Sequence, residues 1–329
     1  MGWGEAAAAT TDDILLVTPT WAADRAHFAL MRHSIEASAL GALRHEVIVQ
    51  SEDVDVFADF ARGPVRVRAT ADLLPAVVEE RRVQALRRAQ RLGHRGTQWA
   101  GSLALRTGGF PQWVGYTGWH VQQISKLAVA AESRCDTVVV VDCDVVVLPH
   151  ATAAHLRDDQ DRILCLHDPC RPDRIGTKAA RWNRQAHRLF QQPFDPRRDY
   201  DGAFDTPFVF HAPTVRRMLR HLEQRFRQPW WQVLLNQPVR RWSEFATYRA
   251  YIKHFLPQDA VRWRQGPGVT TTSIHRAPAA KAIRAALWEM MRNTAGPPFV
   301  TVHSVQAGQR RFQPCDYAPW WFEAPARAG

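Results

Sequence analysis

What is scarce in this 329-residue chain narrows its class before any motif is read. No apolar run approaches the ~18 residues that a membrane-spanning helix needs. The longest, Val138 to Leu148, is interrupted by Asp142 and Asp144. Cysteines number five, an odd set without regular spacing, which excludes a disulfide framework and suits a reducing, cytoplasmic setting. Met1 to Ala9 has no basic patch followed by an apolar core, so no secretory leader is expected. Lysine is nearly missing: Lys126, Lys178, Lys253 and Lys281 are the whole set. Acids are in deficit, 32 against 43 Lys and Arg, which leaves a net charge of +11. Such an Arg-rich surface favours anionic partners: nucleotides, phosphorylated lipids, membrane headgroups or nucleic acid. At 46% hydrophobic residues, the chain has enough apolar material to exclude overall disorder.

Short β-rich runs alternate with helical periodicity through the first half. Ile14 to Val17, Glu46 to Val49, Val65 to Val67 and Thr137 to Val141 read as strands. Ala26 to Leu40, Val77 to Leu92 and Trp119 to Ser133 read as helices, and Val54 to Ala61 as a short one. That alternation predicts an α/β fold: a doubly wound, mostly parallel sheet with helices on both faces. Gly93 to Gly118 reads as a loop. Further on, Asp168 to Tyr200 reads as a mobile excursion and Pro257 to His275 as a loop. Strands are expected at Pro207 to Phe210 and Phe299 to Val302, and helices at Pro213 to Phe226, Arg240 to Phe255 and Ala279 to Arg292. No repeat or long linker appears. One domain over 1–329 is expected, with a ligand-binding half at 12–150, a second half at 151–306, and a tail at 307–329 docked by Trp320-Trp321-Phe322.

The sharpest motif is Asp142-Cys143-Asp144, with four Val before it and three after. Alternation along a strand turns both aspartates one way and Cys143 the other. Two close carboxylates among Val repel each other and are costly to desolvate, and a hard cation would relieve both costs. Mg²⁺ is commonly held by one or two carboxylates plus substrate phosphates. The alternative is a polar turn between two strands. In the preceding helix, Trp119, Gln122, Gln123 and Lys126 share one face, and Val121, Ile124, Ala128 and Ala131 share another. The polar face either frames a ligand and neutralises phosphate or is solvated with a snorkelling Lys126. Ser243 is a plausible N-cap, which puts Glu244 in the first helical turn. Glu244 then serves the helix or acts as a general base. Asp201 and Asp205, around Gly202-Ala203-Phe204, are further catalytic candidates or turn residues. Cys165 and Cys170 lack a second pair for zinc.

Gly118-Trp119-x-x-Gln122-Gln123-x-x-Lys126-Leu127, followed by Val141-Asp142-x-Asp144, resembles a bacterial family of largely uncharacterised GT-A-fold glycosyltransferases. The Lys126-Leu127 to Val145 pattern is also distantly similar to glycogenin-type sugar transferases. Val17-Thr18-Pro19-Thr20, Arg32-x-Ser34-Ile35 and Ser243-Glu244-Phe245-x-x-Tyr248 resemble other marks of the bacterial family. The resemblance implies a metal-dependent glycosyltransferase taking a nucleotide diphosphate sugar, most often UDP-linked in such enzymes, with Mn²⁺ or Mg²⁺ bridging Asp142, Asp144 and the diphosphate. It implies that Thr18 and Pro19 meet the nucleoside, that Lys126 faces the donor, and that His303 is a third metal or phosphate contact. The Gly- and Lys-containing tail that follows the corresponding His in glycogenin-like enzymes is missing here. If transfer inverts the anomeric centre, Glu244 is the first choice of base; if it retains, the leaving phosphate can take the proton. The acceptor is expected to be a polysaccharide glycan or a lipid-linked one. In the latter case the basic stretch 76–117, where Gln84, Arg88, Arg91 and Arg95 form a stripe, would touch an anionic membrane at its inner face. A sugar nucleotidyltransferase is the enzyme rival, but the Gly-rich loop it uses after the first strand is here Thr18-Pro19-Thr20-Trp21. A basic nucleic-acid-binding protein is the other; no such motif appears, and nucleic acid is not an expected partner.

Overall fold

The structure, a computed structural model, describes residues 13–108, 110–160, 162–275, 277, 279–303 and 312–320. The strands are β1 (Ile14–Pro19), β2 (Arg44–Val49), β3 (Val65–Ala69), β4 (Thr137–Val140), β5 (Val145–Val147), β6 (Ile163–His167), β7 (Phe208–His211), β8 (Val261–Gln265), β9 (Thr271–Ile274) and β10 (Phe299–Val302). The α-helices are α1 (Arg25–Glu36), α2 (Val54–Phe57), α3 (Ala76–Arg106), α4 (Trp119–Glu132), α5 (Thr177–Leu189), α6 (Ala212–Phe226), α7 (Trp230–Leu235), α8 (Glu244–Phe255), α9 (Ala280–Arg292) and α10 (Pro314–Tyr317).

The main sheet runs in the order β3-β2-β1-β4-β7. Its first four strands are parallel and β7 closes the edge antiparallel to β4. This is the α/β, doubly wound arrangement expected from the alternation of strands and helices. Period-2 geometry divides the Val run between two cores. Val138 and Val140 pack with Ile124, Leu127 and Phe210 on one face, while Val139 and Val141 pack with Phe28, Met31 and Ile35 on the other. Burying each such side chain is worth ~1.5–3 kcal/mol, so both faces of β4 must be covered. After Val141 the chain leaves the sheet: β5 instead pairs antiparallel with β10, and β10 lies parallel to β9. The second half thus supplies β7 to the main sheet and β10 to the strand that follows the aspartates.

Several segments differ from the sequence expectation. The loop expected at Gly93 to Gly118 is largely helical: α3 continues to Arg106, with a break at Gly93, whose φ of 65° a glycine tolerates. Its glycines hid the periodicity of Ala100 and Ala104, which are buried. The expected excursion at Asp168 to Tyr200 contains α5, whose Trp182, Ala186 and Leu189 are buried in the main core. The expected loop at Pro257 to His275 holds β8 and β9. The helix expected from Arg240 starts at Glu244. In the tail, Trp320 packs its ring 4.9 Å from that of Trp288; Trp321 and Phe322, like Met1 to Ala9, lie outside the described residues.

Candidate functional site

The carboxyl ends of β1, β2 and β4 surround a cleft of about 420 Å³. In open α/β sheets this is the end where ligands bind. Pro19, Thr20 and Trp21 form one wall, Gln50 another, and Trp119 and Gln122 a third; Asp142, Cys143 and Asp144 form the floor. Gly118, at φ 148°, makes the sharp entry into α4 that sets Trp119 at the rim. A second cavity of about 360 Å³ shares Asp142 and Asp144 and adds Lys178, Trp182, Asp205, Thr301 and His303. The two aspartates therefore stand between two adjoining spaces.

Their environments are unlike. Asp142 Oδ1 lies 3.2 Å from Lys126 Nζ, and its backbone N–H donates to Thr206 Oγ1 at 2.9 Å. Asp144 is crowded by acids: burial first, then Asp142, Asp205 and Asp24, push its carboxyl up to about 7 against a backbone hydrogen bond that favours the charged form. The expected repulsion between unpaired carboxylates thus falls on Asp144, because Asp142 has a cation.

Lys126 is 3% exposed and also pairs with Glu244 Oε1 at 3.1 Å. Burial works to lower its pKa, but Asp142 and Glu244 outweigh that and hold the ammonium charged. Glu244 is fully buried; burial raises its pKa, with Lys126 opposing. The Ser243 hydroxyl donates to Glu244 Oε2 at 3.2 Å, and also caps α8 by accepting from Phe245 N. The Gln123 amide, oriented to donate to the Glu244 carboxylate, accepts from Trp119 Nε1 at 3.3 Å. The polar stripe of α4 therefore divides: Gln123 and Lys126 are buried and link Asp142 to Glu244, while Trp119 and Gln122 stay half-buried on the cleft wall.

The remaining expected residues separate into groups. Pro19 lines the cleft, but Thr18 does not. Its hydroxyl donates to Val141 O at 2.7 Å and accepts from His45 Nε2 at 2.9 Å. Burial, then Arg32, lowers the His45 pKa to about 3, so the neutral ring fixes β1 against the end of β4. Asp205 and His303 meet in the second cavity. Asp201 does not join them: it pairs with Arg249 at 3.3 Å and accepts from Ala203 N at 2.9 Å. Sequence reading passed over Thr20, Trp21, Gln50, Lys178, Trp182 and His275. Only Lys178 carried a signal, as one of so few lysines; the others gain meaning from the chain's folding.

A divalent cation fits the acidic floor. Asp144 is a buried carboxylate crowded by Asp142, Asp205 and Asp24, and His303 Nε2 is buried without a hydrogen-bond partner. Because a cation must displace the proton of Asp144, apparent metal affinity should rise up to tenfold per pH unit toward pH ~7 and level off above it. The same shift has the opposite sign for the metal-free fold. Its contribution to stability is fully present below the unfolded carboxylate range and declines as pH rises through about 7. Calorimetric Mn²⁺ titrations and melting in chelator, each from pH 5 to 8, check both trends.

Residues 14–275 match a family described as "Family of unknown function (DUF6492)". No curated protein matches the chain. Among solved structures, the chain is similar to the galactosyltransferase LgtC in complex with donor and acceptor sugar analogues, at 12% identity and a TM-score of 0.45, covering 88% of this chain and 87% of that one. It is similar to mouse xyloside xylosyltransferase 1, at 9% identity and a TM-score of 0.42, covering 88% and 97%. It is also similar to core-mannan synthase A from Aspergillus fumigatus in a Mn/GDP form, at 8% identity and a TM-score of 0.44, covering 80% and 75%.

Proposed function

The chain belongs to DUF6492, a family of unknown function, and from its site we propose that it is a metal-dependent glycosyltransferase of GT-A type. The observation that carries this reading is the position of Asp142 and Asp144 on the floor shared by two cavities at the carboxyl end of the sheet. One cavity, with Trp21, Gln50, Trp119 and Gln122, suits a nucleoside: flat rings to stack and amides to hydrogen-bond. The other, with Lys178 beside the aspartates, suits the diphosphate and its sugar. Asp142 and Asp144 would hold Mg²⁺ or Mn²⁺, whose chemistry there is Lewis-acid stabilisation of the leaving diphosphate.

The chain's own residues do the positioning. Lys126 fixes the Asp142 carboxylate, and Glu244 fixes Lys126. Lys178 stands 4.6 Å over the Trp182 ring and brings a positive charge to the cavity. We read Glu244 as a positioning residue in place of the expected base, because its carboxylate is fully buried and engaged by Lys126, Ser243 and Gln123. A screen of nucleotide diphosphate sugars with Mn²⁺, reading release of the nucleoside diphosphate, tests the reading. Hydrolysis or transfer with at least one donor is expected, and no release with any would contradict it.

In this reading the enzyme works in the cytoplasm on a glycan carried by a lipid. No helix of the described residues is long and apolar enough to cross a membrane. On α3, however, Arg88, Arg91 and Arg95 are exposed, together with Leu92 and Trp99 at 52% and 68%. Basic groups near anionic lipid contribute about 1 kcal/mol each, and an exposed Trp suits the interface. Co-sedimentation with anionic vesicles is expected to exceed that with neutral vesicles at least ~10-fold, and to fall when Arg88, Arg91 and Arg95 are changed to Gln. Equal binding to both lipids would remove the membrane from the proposal.

A further inference from the structure

One wall of the first cleft carries a side chain whose hydrogen-bonding sense is fixed from behind. Gln50 follows the end of β2 and lines the cleft. Its amide oxygen accepts from Arg82 Nη1 at 2.9 Å. Arg82 lies on the inner face of α3 with Val78 and Ala85, and is 1% exposed. Its fork is full. Nε donates to Glu79 Oε2 at 2.8 Å, and Nη2 to Glu79 Oε1 and Glu52 Oε2, each at 2.6 Å. Nη1 donates to Glu52 Oε1 at 2.8 Å as well as to Gln50. These bonds use every N–H group that a guanidinium has. Hydrogen bonding to Glu79 first, and to Glu52 after it, raises the Arg82 pKa against burial, so the group stays charged.

The sense of the Gln50 amide follows. Turned over, it would set its NH2 against a group that has donors only. The oxygen therefore stays on Arg82, and the NH2 is left for the cleft. A glutamine free to turn offers a ligand either an acceptor or a donor; this one offers a donor alone. Beside it stands Thr70. Val49 pairs with Ala69 in the β2–β3 register, so Gln50 and Thr70 leave neighbouring strand ends together. The Thr70 hydroxyl belongs to the same cleft wall and is buried without a hydrogen-bond partner among the described residues. A hydroxyl donates or accepts as its partner requires, so Thr70 does not choose between ligand edges. Gln50 does.

We propose that Gln50, held by Arg82, is a specificity-determining residue that selects a nucleobase by a carbonyl on its edge: the 4-oxo group of uracil or the 6-oxo group of guanine. Cytosine and adenine carry an amino group at the same place. That amine would meet the Gln50 NH2 donor to donor, and both would be left unpaired. A site built to hydrogen-bond one group discriminates strongly against a ligand that leaves its polar atoms without partners. Arg82 does not line the cleft and acts through Gln50, as a positioning residue. The inference rests on the reading of this cleft as the nucleoside site of a transferase, and adds which base edge the site accepts.

The test is calorimetry of nucleoside diphosphates with the full chain in Mn²⁺, taken as two pairs of equal ring size: UDP with CDP, and GDP with ADP. At least one pair should favour its oxo member by ~10-fold or more, and that pair tells which ring the cleft admits. Gln50→Leu removes the donor from a half-buried position. It should bring the members of that pair within about threefold of each other while Mn²⁺ still strengthens binding. Gln50→Glu turns an acceptor oxygen to the cleft and should favour the amino member. Arg82→Lys keeps a positive charge between Glu52 and Glu79 but lacks the planar fork, so the amide is free to turn and the oxo preference should shrink. A merely structural role for Arg82 would lower stability and leave that ratio unchanged. Equal binding within both pairs, a preference for the amino member, or an oxo preference that survives in Gln50→Leu would overturn the inference and leave the transferase reading standing. No binding of any of these nucleotides in Mn²⁺ would overturn both.

Discussion

Lys126→Met is expected to cost about 3–5 kcal/mol of stability, the range for removing one partner from a buried ion pair. The cause is that Glu244 is fully buried and Lys126 is the cation that compensates it. Met fills much of the same volume, so lost packing is a small part of the effect. Glu244→Gln in the same background should recover most of the loss, because it removes the uncompensated charge. The double variant should therefore be far more stable than the sum of the single changes predicts. Urea unfolding of the four proteins reads the coupling directly; additive losses would mean that the two side chains do not depend on each other. Glu244→Gln alone should reduce turnover through a displaced Lys126 while leaving the shape of the pH–rate profile unchanged. A base would remove one limb of that profile.

The second large effect concerns the aspartates, and the structure separates two changes that look alike in the sequence. Asp144→Asn replaces a carboxylate pushed up to about 7 by burial and by acidic neighbours, so the metal-free protein should be stabilised by ~1–2 kcal/mol at pH 8. Asp142→Asn removes a carboxylate that Lys126 already compensates, and should destabilise by a similar amount. Both should lose Mn²⁺-dependent donor binding by ~100-fold or more, the scale of losing a charged ligand from a hard cation. Opposite effects on stability with the same effect on binding are the signature; melting in chelator reads the first. If both variants melt alike, the environments assigned to the two carboxylates are wrong.

Much of this arrangement was legible in the sequence because it follows from local periodicity. Ile14 to Val17 and Thr137 to Val141 are apolar on both sides, and only a strand covered on both faces accommodates that. The spacing of Val121, Ile124 and Ala128 gave α4 its inner face. Asp142 and Asp144 stood out because Val surrounds them. What periodicity does not carry was missed. Gly93, Gly96 and Gly101 obscured the second part of α3, yet Ala100 and Ala104 pack where a loop was expected. The Lys126–Glu244 contact joins helices far apart in the chain, so Glu244 read as a first-turn residue or a general base and not as the counter-ion it is. Thr18 read as a nucleoside contact, but the strand's alternation turns its hydroxyl inward to Val141 and Pro19 outward to the cleft. His275 carried no signal at all; the parallel register of β9 and β10 is what sets it beside His303.

The measurement that bears most directly on the central proposal is calorimetry of a nucleoside diphosphate, UDP first and GDP second, with the full chain in Mn²⁺ and in chelator. The account predicts binding in Mn²⁺ that weakens by ~100-fold or more in chelator, and by as much in Asp142→Asn or Asp144→Asn with Mn²⁺ present. Binding of equal strength in parent and variants, with no dependence on the metal, would mean that Asp142 and Asp144 form a structural turn and that this cleft is not the donor site of a metal-dependent transferase.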